Sequence, residues 1–175
     1  QQQRIALARA LVTNPAALLL DEPLSALYAQ VRTRLRTELR IIQQELSIPV
    51  IMVTHDQEEA LSVSDRVAIL NEGRLIQVGT PAEVYHAPAD RFSASFIGEM
   101  NFIQSSEQHA KIPLRPEEIS LFREARPGSI AGVVESVQFC GPYYRIVLRT
   151  EFGDLQILES SRKSVKPTRR GERLH

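Results

Sequence analysis

Cysteine is nearly absent from this chain. Cys140 is the single thiol among 175 residues, so no disulfide can close within the sequence, as suits a reducing compartment. A surplus of one charge is also missing. The 21 Lys and Arg balance the 21 Asp and Glu, and the net charge is zero. That removes the basic excess of a nucleic-acid-binding protein, and no nucleic-acid partner is expected. No apolar run approaches the roughly 20 residues that cross a bilayer, and the first residues lack the zones of a signal peptide. Any membrane contact is therefore expected to come through a partner. None of the glycines is followed by lysine. The loop Gly-x-x-x-x-Gly-Lys-Ser/Thr, whose backbone N–H groups and lysine cradle the β- and γ-phosphates, is thus not in this sequence.

Two short apolar runs that stop at ionisable residues carry the most information. One is Leu18-Leu19-Leu20-Asp21-Glu22-Pro23; the other ends in Val53-Thr54-His55-Asp56. Ala17–Leu20 and Val50–Val53 read as strands buried on both faces. Open parallel sheets bind ligands beyond the carboxyl ends of their strands, so Asp-Glu and His are expected to converge on one phosphate and its metal. Asp21 is the expected Mg²⁺ ligand, direct or through water, because Mg²⁺ prefers hard oxygen donors. Glu22 is expected to polarise an attacking water, and His55 to hydrogen-bond the transferred phosphoryl group. Each residue also has a plainer use. An Asp-Glu pair can cap the next helix, and a lone histidine is commonly structural or solvated.

The pattern around these runs is α/β. Residues 2–12 read as a helix with Ile5, Ala8, Leu11 and Val12 on one face, ended by Asn14-Pro15, and Arg4 and Arg9 on its solvated side. Residues 31–46 form the clearest helix. Val31, Leu35, Leu39, Ile42 and Leu46 make its apolar stripe, and Arg32, Arg34, Arg36 and Arg40 fall on faces expected to be solvated. Strand, crossover helix and strand make a βαβ unit, which requires a parallel pair. Gln57–Val63 reads as a short helix with Glu58 and Glu59 in its first turn. Asn71-Glu72-Gly73-Arg74 is a hairpin turn. Thr80-Pro81-Ala82-Glu83 is a helix start with a capping box. Residues 90–97 read as a last helix ended by Gly98. Beyond Gly98 the composition turns to β-branched and aromatic residues. Residues 130–137, 143–150 and 155–158 read as strands, with Tyr143-Tyr144 packing across strands. The basic segment 162–173 is expected to be a flexible tail.

Gln1-Gln2-Gln3-Arg4-Ile5-Ala6-Leu7-Ala8-Arg9-Ala10-Leu11 resembles the stretch after the Leu-Ser-Gly-Gly signature of ABC transporter ATPases. Leu18–Pro23 resembles their Walker B strand with its catalytic glutamate, Leu24-Ser25-Ala26-Leu27 their D-loop, and Thr54-His55-Asp56 their H-loop. Asn71–Arg74, then Gly79-Thr80-Pro81-Ala82-Glu83-Val84-Tyr85, is similar to importer ATPases. Leu114-Arg115-Pro116-Glu117-Glu118-Ile119 resembles the Arg-Pro-Glu signature of the TOBE domain that importers of sugars, polyamines, ferric iron, sulfate and phosphonates carry. Residues 137–144 look most like the iron, polyamine and phosphonate branches. ATPases of DNA repair share the Asp-Glu and signature pattern, but residues 79–85 and Arg115-Pro116-Glu117 point to importers.

The resemblance implies an incomplete P-loop NTPase (RecA-like) parallel sheet with flanking helices, followed by a small β-rich, OB-like TOBE remnant. It divides the chain into residues 1–98, the C-terminal part of a nucleotide-binding domain; 99–113, a shortened linker; and 114–175, a partial TOBE domain. It implies ATP and Mg²⁺ as cofactors, with Glu22 and His55 catalytic, Asp21 on the metal, and Ser25 and His55 at the nucleotide. Gln1, the last signature residue, would face the opposite site. The implied partners are a second ATPase subunit in a homodimer, transmembrane permease subunits and, indirectly, a solute-binding protein, at the cytoplasmic face of the inner membrane. Three departures stand out. Most of the signature and the Q-loop are missing, Tyr28 stands where the D-loop ends in Asp, and the spacing from Phe102 to Leu114 is short. The expectation is a C-terminal portion that is inactive alone. The alternative is a non-catalytic interaction module or decayed remnant of such a subunit.

Overall fold

The computed structural model describes residues 2–25, 27–104, 111–162 and 168–175. The chain forms two compact units, residues 1–93 and 94–175.

The first unit starts with helix α1 (Gln2–Val12), closed where Asn14 takes a left-handed conformation and its N–H bonds to the Leu11 carbonyl. Strand β1 (Leu18–Asp21) leads to helix α2 (Ala29–Leu46) and strand β2 (Val50–Val53). The two strands pair in parallel, Leu18 with Val50 through Asp21 with Val53, as a crossover helix demands. Left-handed Ser47 ends α2, its N–H returning to Gln43 O. Leu24, Leu35 and Leu39 are buried, with Leu7, Leu20 and Leu27 packed against them. Each such side chain contributes roughly 1.5–3 kcal/mol on burial.

Three expectations are corrected in this unit. The strands are not buried on both faces: Leu19, Ile51 and Val53 are 73%, 62% and 59% exposed. Among the described residues the pair has only two strands, and its leucine core covers one face. On α1, Ile5 and Val12 are exposed and Leu7 makes the packing contact, so the docked face is rotated from the one the spacing suggested. On α2, Arg36 is buried and Arg32 and Arg40 partly so, because acids on the next helix and its flanks draw them in.

Helix α3 (Gln57–Val63) is capped by Asp56, whose carboxylate accepts the Glu59 N–H. Strands β3 (Val67–Asn71) and β4 (Arg74–Gly79) form an antiparallel hairpin. Its turn places both Glu72 and Gly73 at positive φ, which matches the strand twist and favours glycine at the second position. Helix α4 (Pro81–His86) has the full capping box: Thr80 Oγ1 accepts from Glu83 N–H, and Glu83 Oε2 accepts from Thr80 N–H. Helix α5 (Arg91–Phe96) follows.

In the second unit, strands β5 (Asn101–Gln104) and β6 (Lys111–Leu114) pair antiparallel, so part of the expected linker is sheet. A 3₁₀ turn at Pro116–Glu118 follows. Strands β7 (Gly132–Phe139), β8 (Tyr143–Thr150), β9 (Gly153–Ser160) and β10 (Arg173–Leu174) form an antiparallel sheet in the order β10-β7-β8-β9. Glu135 is a bulge between the β7 residues facing Leu148 and Val147. Val134, Ile146, Leu148, Ile157 and Leu174 make the core. Tyr144 packs against it and lies 5.3 Å from Phe139, ring to ring, as cross-strand packing requires. Buried Asn101 clips β5 to β9 by giving and taking one hydrogen bond, each 2.7 Å, with the Gln156 backbone. Buried Arg115 donates to the Ala94 and Glu99 carbonyls. The expected flexible tail is corrected at its far end. Arg173 and Leu174 pair with β7, and Leu174 is 1% exposed. Residues 163–167 of that segment lie outside the described residues.

Candidate functional site

The parallel register puts Asp21 opposite Val53, so both strands end at one level. The Glu22 N–H extends the ladder by one bond, 2.8 Å to the Val53 carbonyl. There the chain turns sharply: Glu22 has φ 42°, a left-handed conformation uncommon for a side chain of its size. Such a residue stores roughly 1–3 kcal/mol of strain and persists where neighbours enforce it, commonly at functional sites. Here the neighbours are the ladder bond on one side and Ser25 on the other. Ser25 N–H and Oγ both reach the Glu22 carbonyl, at 3.3 and 3.0 Å. Buried Leu24 anchors the loop, and the Leu27 N–H closes it on the Leu24 carbonyl.

This turn carries the Glu22 side chain across to the second strand end. His55 Nδ1 lies 3.0 Å from Glu22 Oε1, and both side chains remain open to solvent. Asp21 is exposed at the same strand end. The structure thus brings Glu22 and His55 into contact, with Asp21 next to Glu22 in sequence and opposite Val53, two residues before His55, in register. Ser25 is exposed, and its hydroxyl is engaged by the Glu22 carbonyl. Gln1 lies outside the described residues. Among the described residues, no three His, Cys, Asp or Glu side chains are grouped so as to hold a metal ion.

Sequence reasoning missed the charged support behind His55. Asp56 Oδ2 accepts from Arg32 Nη1 at 2.7 Å and from Arg36 Nη2 at 3.1 Å. Arg36 also reaches Glu58 Oε2 at 2.9 Å. Burial pushes the Asp56 carboxyl upward. The Arg32 hydrogen bond, the Glu59 N–H and the charges of Arg36 and Arg32 outweigh it and hold the group below the usual carboxylate range. The signal available in the sequence was the spacing of Arg32 and Arg36, four residues apart on one helix face, together with an acid next to the histidine.

Residues 112–175 match the TOBE domain family. The sulfate/thiosulfate import ATP-binding protein CysA 2 of Chromobacterium violaceum is 44% identical over 175 residues, covering 86% of this chain and 48% of the relative. The spermidine/putrescine import ATP-binding protein PotA of Fusobacterium nucleatum is 57% identical over 120 residues, 65% of this chain and 32% of the relative. The protein of that name from Borrelia garinii is 40% identical over 174 residues, 86% of this chain and 50% of the relative. The chain is thus similar to the ATP-binding proteins of ABC importers, with a TOBE domain match over its last third. It spans half or less of the length of these importer relatives. A solved structure described as an inward-facing conformation of a metal-chelate type ABC transporter shares the fold, with TM-score 0.50 and 24% identity over 66% of this chain and 47% of the other. Among the described residues, no helix is long and apolar enough to cross a membrane.

Proposed function

We propose that residues 1–98 supply the hydrolytic side of an ATP site in an importer subunit, that 99–113 join them to the rest, and that 114–175 are TOBE domain. The observation that carries this is the 3.0 Å contact between Glu22 and His55 at two paired strand ends. Glu22 acts as the base that orients and polarises the attacking water. In its protonated form His55 donates its Nδ1–H to the Glu22 carboxylate and has its Nε2–H left to donate to a phosphoryl oxygen. In phosphoryl transfer, positioning and charge stabilisation supply nearly all of the catalysis, so a carboxylate held by an imidazole is the kind of part such a site needs.

Asp21 is the residue that would hold Mg²⁺. The donors at this strand end suit an ion that arrives with nucleotide and water, because Mg²⁺ in nucleotide sites is commonly held by one or two carboxylates plus phosphate oxygens rather than by an all-protein cage. The metal, when bound, offsets the negative charge of the phosphate oxygens. Ser25 serves by shaping the loop that carries Glu22. Gln1 serves the signature of the opposite site. The phosphate cradle comes from residues outside this sequence, so the 175-residue chain alone is expected to show no ATP turnover.

By the same reading the subunit pairs with a second copy and docks on transmembrane permease subunits at the cytoplasmic face. A solute-binding protein works with the assembly indirectly. The test is Glu22→Gln in the full-length subunit assembled with its permease. Turnover should fall about 100-fold or more, the range for losing a general base, with ATP affinity within about threefold. Turnover unchanged by the substitution would instead favour the non-catalytic interaction module, a reading that the self-contained core of the second unit makes physically reasonable.

A further inference from the structure

His55 is fixed by little packing, since its side chain is 70% exposed. Its direction is set by the backbone on either side of it and by the contact with Glu22. That backbone is held unusually well. Thr54, before it, accepts the Asp56 N–H at 3.0 Å and donates to Glu59 Oε2 at 2.7 Å, and Glu59 is 1% exposed. Asp56, after it, caps α3 through Oδ1 and takes both arginines of α2 through Oδ2. Arg32 does more than pair. Its second nitrogen, Nη2, lies 3.3 Å from the Leu27 carbonyl, in the loop that follows Glu22. One guanidinium therefore ties the loop behind Glu22 to the residue behind His55. A planar fork suits that task, because it presents several donors in fixed directions.

We propose that Arg32, Arg36 and Asp56 are positioning residues that hold His55 against Glu22. The proposal deepens the hydrolytic reading above and rests on it for its catalytic consequence, though not for its geometry. The partly desolvated pairs make the support stiff. Arg36 is 7% exposed, and a charge so placed tolerates loss of its partner poorly. It keeps Glu58 when Asp56 is neutralised, so Asp56→Asn leaves it a counter-charge. The amide of that variant also retains an oxygen to cap α3.

The experiment uses the full-length subunit with labelled histidine, followed by NMR, in four forms: wild type, Glu22→Gln, Asp56→Asn and the double variant. Glu22→Gln should move the His55 ring resonances in the wild-type background. In the Asp56→Asn background the movement should shrink to less than about a third. Arg32→Met, which leaves the Arg36–Asp56 pair in place, should weaken the coupling in the same way, and Arg32→Lys should restore part of it. In the assembled transporter, Asp56→Asn and Arg32→Met should each lower kcat about tenfold, as small misplacements of catalytic groups do, with ATP affinity within about threefold. Coupling of Glu22 to His55 that survives at full size in both variants overturns the proposal, whatever the turnover. Turnover that survives Glu22→Gln overturns the hydrolytic reading alone, because the NMR readout still decides the positioning.

Discussion

Leu19 and Ile51 are register partners across the parallel pair, and both face solvent, 73% and 62% exposed. Two large aliphatic side chains side by side on a sheet face form an adhesive patch, and the strand edges left unpaired among the described residues add to it. The 175-residue chain on its own is therefore expected to self-associate and to bind an apolar dye. Leu19→Lys combined with Ile51→Lys should reduce both, read by light scattering and dye fluorescence. A dispersed monomer of the unaltered chain that binds no dye would contradict this.

Tyr28 takes the cap position of α2 with an extended backbone and no side-chain hydrogen bond to the helix, and it is 88% exposed. An aspartate there would accept an N–H of the first turn. Tyr28→Asp should stabilise the first unit by about 0.5–2 kcal/mol, the usual worth of a good N-cap. Thermal or urea unfolding of the full-length subunit measures it. A loss of stability would mean that the ring makes a contact outweighing the cap.

Asp56 is expected to make the first unit acid-sensitive. Its folded carboxyl sits below the ordinary value of 3.8, so ionisation favours the folded state. The sign follows: the contribution is complete above the ordinary aspartate range and is lost as pH falls through the lowered folded value. Arg32 and Arg36 from α2 face it, the Glu59 backbone N–H of α3 donates to it, and Glu58 of α3 pairs with Arg36 beside it. Asp65, Glu83 and Asp90 are lowered too and titrate in the same direction. The informative quantity is thus the difference between wild type and Asp56→Asn. Melting temperatures of the two should converge as pH drops below about 4 and separate above it. A constant gap across that range would mean that Asp56 does not act through its charge.

Much of this architecture is legible from local pattern. α1 and α3 fall on the bounds that their spacing and caps mark, and the Thr80–Glu83 box forms as written. Strand ends shift by one residue because ladder bonds continue past the apolar run, as at Asp21 and Asn71. What pattern misses is long-range. β10 joins the last residue of the basic segment, Arg173, to Leu174 just beyond it, and one aliphatic side chain beside so many charges is a faint hint of a core contact. The arginines of α2 read as solvated because helix periodicity reports one apolar stripe and is silent about acids arriving from another element. At the site, the meeting of Glu22 and His55 follows from the βαβ topology. The left-handed turn at Glu22 and the Asp56 clamp depend on tertiary bonds that no local window contains.

The measurement that bears most directly on the account is a double-mutant cycle on Glu22 and His55 in the assembled transporter, read as single-turnover ATP hydrolysis. Groups that act as one catalytic unit are strongly non-additive. Glu22→Gln and His55→Ala should each remove most of the turnover, and the double variant should be no slower than the worse single by more than about threefold. Losses that multiply, or a single variant with near-normal turnover, would show that the 3.0 Å contact is not the heart of a hydrolytic site.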